Sequence, residues 1–213
     1  MRTGKDQTEA MKPKRMSARI CAALLRIAGW HLAYRPPPGP KALVLFYPHT
    51  SNWDFVLAML AKGAIGLPLR WAGKDTLFRR PFGAFFRSLG GVPVNRRERT
   101  GFVGQMAEEF RRRDSFYLGM APEGTRSLTQ GWKSGFYHLA LAADVPLLLA
   151  YLDFPTRQIG VCDYLALTGD EAHDMVAIAA VYVGKAGKYP ALQSPIRLLS
   201  CAADHEPKHI APR

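Results

Sequence analysis

Apolar and polar positions along this chain follow two rhythms. Between residues 16 and 34, Ile20, Ala23, Leu24, Ile27 and Leu32 recur at helical spacing, and that spacing predicts a helix over 16–34. Residues 35–40, "RPPPGP", end it, since consecutive prolines remove donors and fix φ. The unbroken apolar run "ALVLFY", 42–47, has the length of a buried strand. "FVLAMLAKGAIGLP" then reads as a helix closed by glycine and proline.

The alternation continues to the end of the chain. "LRWAGK" predicts a second strand. Residues 78–96 predict a short aromatic helix, a Gly-Gly turn and a short strand, and 100–113 a helix carrying Phe102, Val103, Met106 and Phe110 on one side. "SFYLGMA", "VPLLLAYLDF" and "RQIGVCDYLAL" read as strands, with a helix over "WKSGFYHLALAAD" between the first two. A last helix opens at "TGDEAHDMVAIAAVYV", where Thr168 and Glu171 have capping-box spacing. Strands alternating with helices predict a single α/β domain over about 40–200. Its sheet is expected to be mixed and largely parallel, flanked by helices, with the 16–34 amphipathic helix in front. Residues 1–15 and 201–213 read as loose polar tails.

Charge narrows the partners. Lys and Arg number 29 against 17 acids, a net charge of +12, which calls for an anionic partner: nucleic acid, a phospholipid surface or a phosphorylated substrate. Basic residues interleaved with aromatics in a nucleic-acid module are not visible. The three cysteines, Cys21, Cys162 and Cys201, are odd in number and far apart. They form no C-x-x-C pair, so zinc and redox readings are weak and a cytosol-facing location fits. No apolar run reaches the roughly 18 residues of a membrane span, and the polar start "MRTGKDQTEAMKPKRM" does not read as a signal peptide. The 16–34 helix therefore has two readings. It packs on the core, or it lies on an anionic membrane surface with Arg15, Arg19 and Arg26 toward headgroups and Trp30 and Tyr34 at the water boundary.

Candidate chemistry starts at "YPHTSNWDF", 47–55. With Ser51 as N-cap, Asp54 stands at N3, a capping-box spacing that accounts for the aspartate and leaves His49 unexplained. A turn folding N3 back over the preceding residues brings the carboxylate to the imidazole. A carboxylate on one ring nitrogen fixes the tautomer and leaves the other nitrogen to take a proton. No G-x-S-x-G nucleophile motif accompanies the pair, so direct activation of a substrate hydroxyl suits it. In "APEGTRS", 121–127, Gly124 permits a tight turn and Arg126 offers a bidentate fork for phosphate; a polar turn with a surface ion pair is the plainer reading. "LGGVPVNRR", 89–97, delivers Arg96 or Arg97 from a Gly-Gly turn.

In this order the blocks His49–Asp54, Gly91 to Arg96, Pro122 to Ser127 and Val145–Pro146, followed in kind by "WKSGFYHLA" after the third, resemble the glycerophospholipid acyltransferases, typified by 1-acyl-glycerol-3-phosphate acyltransferase. The similarity spans roughly 42–153, with "HTSNWD" pointing to a compact bacterial branch. The resemblance implies transfer of a fatty acyl group from acyl-CoA or acyl-carrier protein to a lysophospholipid hydroxyl. His49 is then the general base, Asp54 its orienting partner, and Arg96, Glu123, Gly124, Thr125 and Arg126 the acceptor phosphate site. It implies no metal and no bound cofactor, and a peripheral position on the cytoplasmic face of a bacterial inner membrane. The rival expectations are a non-catalytic binder of anionic lipid or nucleic acid on the same scaffold, and an acyl-thioesterase that uses water.

Overall fold

The computed structural model of the protein describes residues 15–94 and 99–199. Arg15, expected in the tail, begins the first helix, while the rest of the expected tails, with Arg96, Arg97 and Cys201, lies outside the described residues. Seven strands, β1 His31–Ala33, β2 Lys41–Tyr47, β3 Leu69–Lys74, β4 Gly91–Val94, β5 Phe116–Met120, β6 Leu147–Asp153 and β7 Gln158–Leu165, form one sheet in the order β1-β7-β6-β2-β5-β3-β4. Among the described residues six α-helices accompany them: α1 Arg15–Ile27, α2 Trp53–Ile65, α3 Gly83–Ser88, α4 Arg99–Arg112, α5 Gly135–Ala143 and α6 Glu171–Val181. All neighbours pair in parallel except β6 and β7, which form an antiparallel hairpin. The expected mixed, largely parallel α/β sheet is the observed one.

Burial explains why β2 and β6 sit at its centre. β6 is buried along its whole length, as strands covered on both faces are. Leu43, Leu45 and Tyr47 of β2 point into one half of the core, with Phe110 of α4, Phe136 and Leu139 of α5 and Ile178 of α6. The alternate positions Ala42 and Val44 join Leu148 and Ala150 on the opposite face. On that side Leu57 and Ala61 of α2 meet Leu25 of α1 and Trp30. Period-two side chains thus feed two helical layers.

Three local expectations change. First, the N-terminal helix stops at Ile27 instead of continuing to 34. Gly29 turns the chain at φ +76°, a conformation that glycine adopts freely. Residues 31–33 then pair with β7 as a strand. Trp30 is buried against Phe154 with ring centroids 4.9 Å apart, so it is a core residue and not a headgroup anchor. Second, α6 is capped by Asp170, whose side chain accepts from the His173 N–H, and not by Thr168 with Glu171. The carboxylate that reaches back is Asp174: it accepts from the Thr168 and Gly169 backbone N–H groups, the Thr168 hydroxyl and the buried Tyr137 hydroxyl. Burial, with Asp174 beside it, pushes the Tyr137 phenol up to about 12. Third, Asn52 holds the N-cap position of α2, while Ser51, one residue earlier, supplies the oxygen that accepts from the Trp53 N–H.

α1 lies against α2 closely enough that a Cβ on Gly63 would meet the Cys21 sulfur at 2.6 Å. Its opposite side exposes Met16, Ile20, Leu24 and Ile27. No helix among the described residues is long and apolar enough to cross a membrane.

Candidate active site

β2 and β5 are adjacent parallel strands, with Leu45 paired to Met120 near their carboxyl ends. The loops that follow them therefore emerge side by side, in the region where open parallel sheets place their ligands. The β2 loop carries His49 and leads into α2. The β5 loop carries Pro122 to Ser127. Adjacency in the sheet joins two sequence motifs more than seventy positions apart.

In the first loop His49 Nδ1 lies 3.1 Å from Asp54 Oδ2. Asp54 is almost fully buried. Its Oδ2 also accepts from the Thr50 and Ser51 backbone N–H groups at 2.8 Å each, and its Oδ1 from the Ser51 hydroxyl at 2.9 Å. Burial pushes this carboxyl up, but the hydrogen bonds from His49 and Ser51 outweigh burial and hold it below the usual carboxylate range. An ionised carboxylate only accepts, so Nδ1 carries the proton that it receives, and in the neutral ring the lone pair is on Nε2. One side chain thus reaches both back to Ser51, the residue before the N-cap, and across to the imidazole. The imidazole itself remains about one quarter exposed.

Glu123 occupies a different place from a substrate contact. It is 1% exposed. Its Oε2 accepts from the His49 backbone N–H at 2.7 Å and its Oε1 from the Ser194 backbone N–H at 3.0 Å. Burial pushes its carboxyl up, and these hydrogen bonds offset that only in part. Glu123 thus ties the His49 backbone to Ser194, and its oxygens face inward. The rest of the motif lies nearer solvent. Gly124 has φ +67° and packs under the Lys133 side chain, where a Cβ would meet Lys133 Cδ and Cε at 3.1 Å each. The Thr125 hydroxyl accepts a long bond from the Ser127 N–H, and Arg126 is exposed. The structure therefore gathers His49, Asp54, Glu123, Gly124, Thr125 and Arg126 around two neighbouring loops.

A third element was not legible as part of the site. Residues 185–199 form a strap across the two loops. Tyr47 donates its hydroxyl proton to the Ser194 carbonyl, and Tyr189 N–H donates to Thr50 Oγ1. Thr129 donates to Ser194 Oγ, and Leu199 N–H donates to the Trp132 carbonyl. The signal in the sequence was slight. Gly187 fits because it has no Cβ, which would meet Thr50 Oγ1 at 2.6 Å, and nothing local announces so distant a contact.

An acyltransferase family model matches residues 34–151, more than half the chain. The matched span includes both motif loops and ends before the strap. A search of curated proteins finds no match. Among solved structures, the 1-acyl-sn-glycerophosphate (LPA) acyltransferase PlsC from Thermotoga maritima shares the fold. The two align over 78% of this chain and 77% of that one, with 16% sequence identity and a TM-score of 0.50.

Proposed function

Because the chain belongs to the acyltransferase family, we propose that it moves a fatty acyl group from acyl-CoA or acyl-carrier protein to the hydroxyl of a lysophospholipid resembling 1-acyl-glycerol-3-phosphate. The observation that carries this reading is the His49–Asp54 contact at 3.1 Å, with the imidazole partly open to solvent. His49 Nε2 accepts the acceptor hydroxyl proton as the oxygen attacks the thioester carbonyl. A C–O bond forms and the carbonyl electron pair moves to oxygen. Its return breaks the C–S bond, and the departing thiolate takes the proton from Nε2. Asp54 balances the transient imidazolium charge.

Gly124 to Arg126 serve the acceptor phosphate in this reading, with Arg126 as the fork. Glu123 acts behind them, on the His49 backbone. Arg96 keeps the acceptor-phosphate role that the resemblance gives it. The acyl carrier and the acceptor are both substrates, so no resident cofactor or metal is needed. The exposed apolar face of α1, with Arg19 and Arg26 also exposed, supports a peripheral position on an anionic leaflet, the cytoplasmic face of a bacterial inner membrane, where such an acceptor resides.

The test supplies purified full-length protein with acyl-CoA, with and without lysophosphatidate, and follows free thiol and diacyl product. Thiol release that depends on the acceptor and matches product supports transfer. Thiol release without acceptor makes the protein a thioesterase. No thiol release with either addition leaves a binding protein.

A further inference from the structure

The strap brings one cation to the rim of the His49 turn that no motif contains. Residue 188 is fixed from both sides. Before it, Gly187 is buried against Thr50 and Pro48, so closely that a Cβ would lie 2.6 Å from Thr50 Oγ1 and 3.3 Å from Pro48 Cβ. After it, the Tyr189 N–H donates to the same Thr50 Oγ1 at 3.2 Å. Thr50 is the residue next to His49. The chain therefore has little freedom to carry residue 188 away from the turn.

The side chain is held as well. Lys188 Nζ stands 5.6 Å from the ring centroids of both Trp53 and Tyr189. Trp53 lies in the first turn of α2 and is 56% exposed, and Tyr189 is 49% exposed. Ring faces orient an ammonium without neutralising it. Among the described residues no carboxylate stands within ion-pair distance of Lys188, whereas Arg35, Arg79 and Arg111 to Arg113 each have one. Two large aromatics and an ammonium without an acid partner thus share one exposed corner beside the proposed base.

We propose that Lys188, walled by Trp53 and Tyr189, is the cation of a phosphate-binding subsite at the His49 turn. The inference rests on the acyl-transfer reading for its ligand. An ammonium is a compact point charge with three donors, suited to a phosphate monoester or diester oxygen. Acyl transfer brings two phosphate-bearing molecules to one base: the acceptor headgroup and the thiol carrier of the donor. The Gly124–Arg126 loop reaches the base through Glu123 and His49, and Lys188 reaches it through Thr50 and Trp53. Two independent cationic approaches match two phosphates. The shared chemistry is phosphate, and the measurements assign its source.

Lys188→Ala and Lys188→Glu are compared with wild type and with Lys74→Glu, a charge reversal at an exposed lysine on the end of β3. The readouts are KM for acyl-CoA, KM for lysophosphatidate, kcat, the thermal melt, and equilibrium binding of CoA and of glycerol 3-phosphate. The expected result is a rise of about tenfold or more in one KM for Lys188→Glu, the loss of a charge-assisted contact. The matching binding constant rises with it, while the melt is unchanged. A rise on the acyl-CoA and CoA side assigns the carrier phosphate; a rise on the other side assigns the headgroup. Unchanged KM and binding values overturn the subsite. An equal rise in Lys74→Glu also overturns it, since the effect is then the field of the whole basic surface. If wild type shows no transfer, the acyl-transfer reading fails, and CoA and glycerol 3-phosphate binding alone judges Lys188: weaker binding of either in Lys188→Glu sustains it, and equal binding of both overturns it.

Discussion

Glu123 holds His49 by the backbone and not by the ring: its Oε2 accepts the His49 N–H at 2.7 Å, while the imidazole turns to Asp54 at 3.1 Å. The two carboxylates thus divide the histidine. One fixes where the residue sits, and the other fixes which nitrogen carries the proton.

Glu123→Ala leaves two inward N–H groups, of His49 and Ser194, without acceptors. Each unsatisfied buried donor costs about 1–3 kcal/mol. Melting should fall by about 2–4 °C per kcal/mol lost, and kcat should fall more than the acceptor KM rises. Glu123→Gln should recover only part, because one amide oxygen replaces two acceptors and the NH₂ faces a donor. A change confined to the acceptor KM, with an unaltered melt, would return Glu123 to direct substrate contact.

His49→Ala should lower kcat by about 10²–10⁴-fold, the range of general-base catalysis. Its melt should change little, since the partly exposed ring holds no core position. Turnover near wild type with acyl-CoA and lysophosphatidate would remove His49 from the mechanism.

Asp54 gives a pH signature. Its folded carboxyl sits below the ordinary value because the hydrogen bonds outweigh burial. The stabilisation is therefore complete above the unfolded value of about 3.9 and disappears as pH falls through the lower folded value. Melts of wild type should lose stability across that acidic window, and Asp54→Asn should show a shallower slope there. Identical slopes would mean that Asp54 is not ionised in the fold. Glu123 has the opposite sign: its raised carboxyl binds a proton more readily folded than unfolded, so its contribution falls as pH rises from its unfolded value to its folded one.

Gly63→Ala tests the α1–α2 contact. Alanine is better than glycine in a helix interior by about 1 kcal/mol, yet its Cβ would stand 2.6 Å from the Cys21 sulfur. The single substitution should lower stability, and a Cys21→Ala background, which leaves only the Cβ contact at 3.3 Å, should relieve most of that loss. A double-mutant cycle with no coupling would show that α1 yields without cost.

The outward face of α1 is tested without removing the helix, because Leu25 and the following Trp30 are core residues and truncation would expose Leu57 and Ala61. Leu24→Ser with Ile27→Ser, both at exposed positions, should leave the melt unchanged and weaken co-sedimentation with anionic vesicles. What binding remains should decline with salt. Undiminished vesicle binding would shift membrane contact to another surface.

The sequence by itself determined the elements and the local half of the site. Apolar runs such as 42–47 and 147–152 have strand length and lie between turn signals, which reads as buried strand. The His49–Asp54 pairing was equally legible, since one tight turn joins positions five apart, although the cap itself falls on Asn52 and not on Ser51. Tertiary structure decided what depends on which strands become neighbours. Only the β2–β5 pairing brings Glu123 to the His49 N–H, and only the path of the strap brings Ser194, Tyr189 and Lys188 to the same turn. Trp30 shows the same limit in miniature. Its spacing fitted a membrane-facing helix, and the turn at Gly29 with the waiting ring of Phe154 sent it inward. Local pattern fixes which residues seek burial or a partner; the partner is supplied by chain that is distant in sequence, and only the folded sheet selects it.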